Sequence, residues 1–174
     1  MFLARKITRA KWESQHELSA DEIPADAITS DLRTRGNSLS FWQCGIAERG
    51  QLDEAVLAIA AGRDSVEKVE IIWLAEDELE ADGQTLKNTE GRTPVTGLSR
   101  SHVDVCGLDY VRLGKIAHGI VRALKEERHL KLSKIRVRKL LTSAVGQRRI
   151  DVNDLGDKVR AEIMQSLQSG NGRS

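Results

Sequence analysis

Aromatic side chains are scarce: Phe2, Trp12, Phe41, Trp42, Trp73 and Tyr110 are the whole set, 3% of 174 residues. Domains that grip single-stranded nucleic acid on a sheet need exposed aromatic platforms. Three of the six fall in runs that read as buried strands, which disfavours that class. Cysteine is nearly as rare. Cys44 and Cys106 lie 62 residues apart with no secretion signal ahead of them, so reduced thiols and a cytoplasmic protein are expected. Long apolar runs are missing too. The segment Met1-Phe2-Leu3-Ala4 meets Arg5 and Lys6 before a signal-peptide core of about 7–15 residues can form. The longest uncharged apolar stretch elsewhere is Ala55 to Gly62, against about 20 residues for a membrane span. A soluble protein is therefore expected, without membrane contact.

Signature motifs are absent as well. No Gly-x-Gly-x-x-Gly, no Walker-type phosphate loop and no Gly-x-Ser-x-Gly occurs. The common nucleotide folds and the serine-hydrolase fold lose most of their weight, and no cofactor is called for. Phosphate sites that need no fixed motif stay open.

What is present is an ordinary globular composition, 40% hydrophobic and 30% charged. A chain of this length buries roughly 70% of its unfolded surface without a metal or disulfide staple. Strand signals stand at Phe2 to Thr8, Ser38 to Cys44 and Val69 to Leu74, the last two apolar on both faces. Pro24 suits the first turn of a short helix through Leu32, and Arg35-Gly36-Asn37 reads as a turn. Gln51 to Ala61 reads as a helix with Leu52, Ala55, Val56, Ile59 and Ala60 on one stripe. Strand, helix and strand over residues 38–74 predict a βαβ-like unit. Glu76 to Gly97 looks irregular, and Ser101 to Cys106 fits a short strand. From Asp109 the pattern is helical, with Leu113, Ile116, Ala117, Ile120, Val121 and Leu124 inward. Ser133 can cap a second helix, and Asp151 or Asn153 can start a third. The expected fold is thus α+β or α/β: a small sheet portion over residues 1–100, a unit of about three helices over 101–170 and a frayed tail at 171–174. One compact domain is the alternative to two units.

Within Val137 to Met164, Val137, Leu140 and Leu141 on a helix, then Gly146, then Ile150-Asp151-Val152-Asn153-Asp154-Leu155, loosely resemble the first half of a helix-turn-helix or winged-helix module. Asp151, Asp154 and Asp157 crowd the place where a groove-reading helix should be basic. An ordinary helical hairpin is the better expectation.

Charge is polarised along the chain. Residues 1–100 hold 12 Lys/Arg against 18 Asp/Glu, and residues 101–174 hold 15 against 8, which hides behind a net charge of +1. At 100° per residue, Lys115, His118, Arg122, Lys125 and His129 share one arc opposite the apolar stripe. Arg136, Arg138 and Lys139 are expected to extend that face. Such a ridge suits nucleic acid or an acidic protein surface. Three outcomes stand open for it: a partner site in a binding or adaptor protein, a merely solvated face, or a face matched by the acidic run Glu76 to Asp82 within the chain or across a homodimer. The alternative is a metal-dependent or thiol enzyme centred on His102, Asp104 and Cys106. On a strand these three share a face and offer imidazole, carboxylate and thiolate, though residues i and i+4 stand about 13 Å apart. A half-buried strand with a satisfied histidine explains the same residues. Arg35 and Arg92, on two loop tips, could clamp an anion, although turn chemistry alone accounts for their neighbours.

Overall fold

A strand that is apolar on both faces must be covered twice, and this sheet is. The computed structural model describes residues 1–13, 18–19, 21–45 and 49–170. The strands β1 (Phe2–Lys6), β2 (Leu39–Cys44), β3 (Val69–Ala75), β4 (Thr85–Asn88), β5 (His102–Cys106) and β6 (His129–Leu132) form one sheet in the order β4-β5-β2-β1-β3-β6. All neighbours are antiparallel. The helices are α1 (Ala25–Asp31), α2 (Arg49–Ala61), α3 (Glu76–Ala81), α4 (Tyr110–Lys125), α5 (Lys134–Gly146) and α6 (Asp157–Gly170). The fold is α+β, and no helix among the described residues is long and apolar enough to cross a membrane.

The βαβ-like unit is present in split form. β2 and β3 are each antiparallel to β1 and hence parallel to one another, with β1 between them and α2 as the crossover. Strand alternation then sorts the two cores. Ala4, Trp42, Cys44, Val69, Ile71 and Trp73 face α2, α5 and α6. Leu3, Leu39, Phe41, Ile72, Leu74, Val103 and Val105 face α1 and α4. The inward residues of α4 are those of the stripe: Ile116, Ala117, Ile120, Val121 and Leu124 are all buried. Asp109 caps α4 by accepting from Arg112 N–H at 2.8 Å, and Ser133 caps α5 by accepting from Arg136 N–H at 3.3 Å.

Three local expectations are corrected. Glu76 to Gly97 is not irregular throughout, because it holds α3 and the edge strand β4. His129 does not belong to α4, which ends at Lys125 and turns through Glu127 (φ 57°) into β6. Asp151 caps a 3-10 turn at Val152–Asp154, and the third helix starts only at Asp157. That helix runs to Gly170, and the expected frayed tail at 171–174 lies outside the described residues. Strands from both expected portions, residues 1–100 and 101–170, share the sheet.

Candidate functional site

β1 and β2 pair only from Phe2↔Cys44 to Ala4↔Trp42. Beyond Ala4, β1 stays with β3 as far as Lys6↔Ile71, while β2 stays with β5 as far as Leu39↔Val105. The strands part there, and the Arg5 guanidinium fills the seam. Its Nη1 donates to Ser40 O at 2.7 Å; Nε and Nη2 donate to Asp31 O at 3.0 and 2.5 Å. Asp31 ends α1, so Arg5 satisfies a carbonyl that the helix leaves open and sits at the negative end of its dipole. The guanidinium carbon also lies 5.5 Å from the Phe41 ring centroid, within cation–π range.

These contacts leave Arg5 short of counter-charge. All three of its hydrogen bonds go to main-chain carbonyls. The nearest carboxylate is committed elsewhere: Asp31 Oδ2 accepts from Thr8 N–H at 2.6 Å and from Trp12 Nε1–H at 2.9 Å. Burial accordingly pushes the Arg5 pKa down to about 10, with Asp31 opposing only in part. Lys6 is also lowered, first by burial and then by Arg63.

A crevice of about 570 Å³ opens over this seam. Arg5, Lys6, Arg35 and Arg92 line it together with Asp31, Glu90 and His102, four cations against two carboxylates. Ala58 and Ile59 of α2, with Gly62 just past its end, form one wall. Arg35 reaches the mouth from the tight turn to Ser38, whose central residues Gly36 and Asn37 both have positive φ (60° and 54°), as a type I′ hairpin requires. Arg92 is placed by a close approach. A Cβ on Gly91 would stand 2.4 Å from Trp42 Cη2 and 2.8 Å from His102 Cβ, so only glycine lets the chain lie this close to both side chains. Lys6, Arg35 and Arg92 make no side-chain hydrogen bond or ion pair among the described residues.

His102 stands beside this crevice in a fixed setting. Its ring meets Trp42 edge-on, with centroids 5.0 Å apart at 74°. Nδ1 lies 2.7 Å from Thr89 Oγ1, Thr89 Oγ1 lies 3.0 Å from Asp104 Oδ2, and Ser40 Oγ donates to Asp104 Oδ1 at 3.0 Å. Burial lowers the imidazole pKa below its ordinary value, with Asp104 opposing, which favours the neutral ring.

The alternative built on His102, Asp104 and Cys106 does not assemble. Among the described residues no group of three or more His, Cys, Asp and Glu side chains could hold a metal ion. The thiol and imidazole are not paired either: Cys106 Sγ donates to Asp104 O at 3.6 Å while His102 Nδ1 is engaged by Thr89.

The predicted basic face is divided. α4 packs on one side of the sheet and α5 on the other, so Arg136, Arg138 and Lys139 do not continue the α4 ridge. Within that ridge Lys115 Nζ donates to Asp82 O at 2.8 Å and Arg122 pairs with Glu78 at 3.2 Å. The acidic run thus covers part of it from α3. Arg136 pairs with Asp53 at 3.6 Å and Arg138 with Glu162 at 2.9 Å. His129, on β6, lies 3.0 Å from Arg9 Nη1 through Nε2. His118, Lys125 and Lys139 are exposed without a hydrogen bond or ion pair among the described residues.

Compared with protein-family models, with curated proteins and with solved structures, the chain matches none.

Arg35 and Arg92 were legible as loop-tip cations, but their meeting was not. Arg5 and Lys6 carried one usable signal, two adjacent charges at the end of an apolar strand. Thr89 and Asp31 carried none, because their roles depend on which strands and helices come together.

Proposed function

We propose that the protein is a binding protein for a ligand bearing a phosphate group, and that the ligand seats in the crevice between β1 and β2. The observation that carries this reading is Arg5, a desolvated guanidinium bonded only to carbonyls. Of its five N–H donors those bonds use three, which leaves two for a ligand. Guanidinium forks match the oxygen geometry of phosphate. The crevice's four cations and two carboxylates leave an excess of two positive charges. A phosphate monoester at neutral pH carries about −1.5 to −2, a close match.

Nucleic acid is a second source of the same chemistry, favoured by the exposed Lys125 and His118 side chains on α4. Calorimetric titration separates the two. Propyl phosphate should bind at one saturable site, and the double variant Arg35→Ala/Arg92→Ala should weaken it about tenfold. A single-stranded oligonucleotide lacking terminal phosphates should bind more weakly than propyl phosphate. Tighter binding of the oligonucleotide, abolished by reversing Lys115, Arg122 and Lys125, would move the site to α4; no binding of either probe would end the phosphate reading.

A further inference from the structure

We infer that the ligand pairs its phosphate with a hydroxyl group, and that His102 Nε2 accepts a hydrogen bond from that hydroxyl. This rests on the phosphate reading above and deepens it. The argument runs through the protons. Thr89 has one hydroxyl proton and two neighbours, Asp104 Oδ2 at 3.0 Å and His102 Nδ1 at 2.7 Å. Giving that proton to the imidazole would leave two oxygen lone-pair sets facing each other across 3.0 Å. Giving it to the carboxylate makes a charge-assisted bond and leaves the Thr89 lone pairs to accept Nδ1–H. Ser40 donates to the other carboxylate oxygen, so Asp104 is held from two sides.

The ring is therefore fixed as the Nδ1–H tautomer. Its Nε2 lone pair has no partner among the described residues, and His102 lines the crevice. The other ionic groups lining it are four cationic donors and two carboxylates. The cations can only donate to a hydroxyl oxygen, and the carboxylates are repelled by the phosphate, so Nε2 is the uncharged acceptor for the hydroxyl proton. Phosphorylated polyols and sugars are the chemical class that offers both groups.

The test uses the full chain and two probes of equal carbon number. Glycerol 1-phosphate carries hydroxyls and propyl phosphate does not. Calorimetry at pH 7.5 should show glycerol phosphate binding about tenfold or more tightly. Polar sites lose heavily when their partner hydroxyl is missing, because the site's own group is left unpaired. His102→Phe keeps a planar ring and removes the acceptor, so it should bring the two probes to equal affinity. Thr89→Val, which releases the tautomer without touching the ligand, should reduce the preference and provides the same readout if the His102 variant does not fold. Equal binding of both probes by the unmodified protein would overturn this inference alone. Binding of neither would overturn the phosphate reading beneath it.

Discussion

Arg5→Met is expected to weaken propyl phosphate binding by about 30- to 100-fold while leaving the protein folded. Loss of one charge-assisted bond costs about 1.5–3 kcal/mol, and truncating one partner of a buried charge pair costs about 2–5 kcal/mol. The fold should tolerate the change for the opposite reason. Arg5 contributes three hydrogen bonds, but its charge is desolvated with no carboxylate in contact. An apolar side chain of similar length removes that desolvation cost, which offsets the donors lost to Asp31 O and Ser40 O. Arg5→Lys is the informative control. It keeps the charge but replaces a planar fork that spans Asp31 O and Ser40 O with a single ammonium, so binding should fall short of the unmodified protein. If Arg5→Met binds propyl phosphate with unchanged affinity, the seam is a structural device and the crevice is not the site.

The charge balance at the seam sets the second large effect. Asp31→Ala should destabilise the protein by about 3–5 kcal/mol in urea unfolding. Two donors lose their acceptor at once, Thr8 N–H and the indole N–H of fully buried Trp12. Each unsatisfied donor costs about 1–3 kcal/mol, and Arg5 loses the negative charge that partly offsets its burial. The last part can be isolated. In the Arg5→Met background the Asp31→Ala penalty should shrink by about 1 kcal/mol or more, since contacting groups couple by about 0.5–3 kcal/mol. A penalty of the same size in both backgrounds would show that Asp31 serves only as a hydrogen-bond acceptor.

Local periodicity made much of this fold legible. The apolar stripe of α4 and the two-faced apolar runs of β2 and β3 report burial directly, because each element must hide those side chains wherever it packs. Ser133 and Asp109 mark helix starts through chemistry confined to three residues. Pairing partners were not legible. That β1 inserts between β2 and β3 depends on contacts among residues 2–6, 39–44 and 69–75, which no local window contains. The same limit explains the basic residues. Helical arithmetic placed Lys115, His118, Arg122 and Lys125 on one side of α4, but it could not show α3 lying beside Lys115 and Arg122, nor α5 across the sheet. His129 fell out of the arc because the helix stops at Lys125, where Glu126 and Glu127 lead into β6. The crevice is a further step removed. It gathers side chains from β1, the turn before β2, the loop around Gly91 and β5, all brought together by strand order.

The most direct measurement follows the arginine side chains themselves. In an ¹H–¹⁵N spectrum of the full-length protein, the Nε–H signals of Arg5, Arg35 and Arg92 should shift together and saturably as propyl phosphate is added, with Arg122 on α4 unmoved. Shifts confined to Arg122 and other α4 cations, or an Arg5 signal that stays in place at saturation, would contradict the assignment of the crevice as the phosphate site.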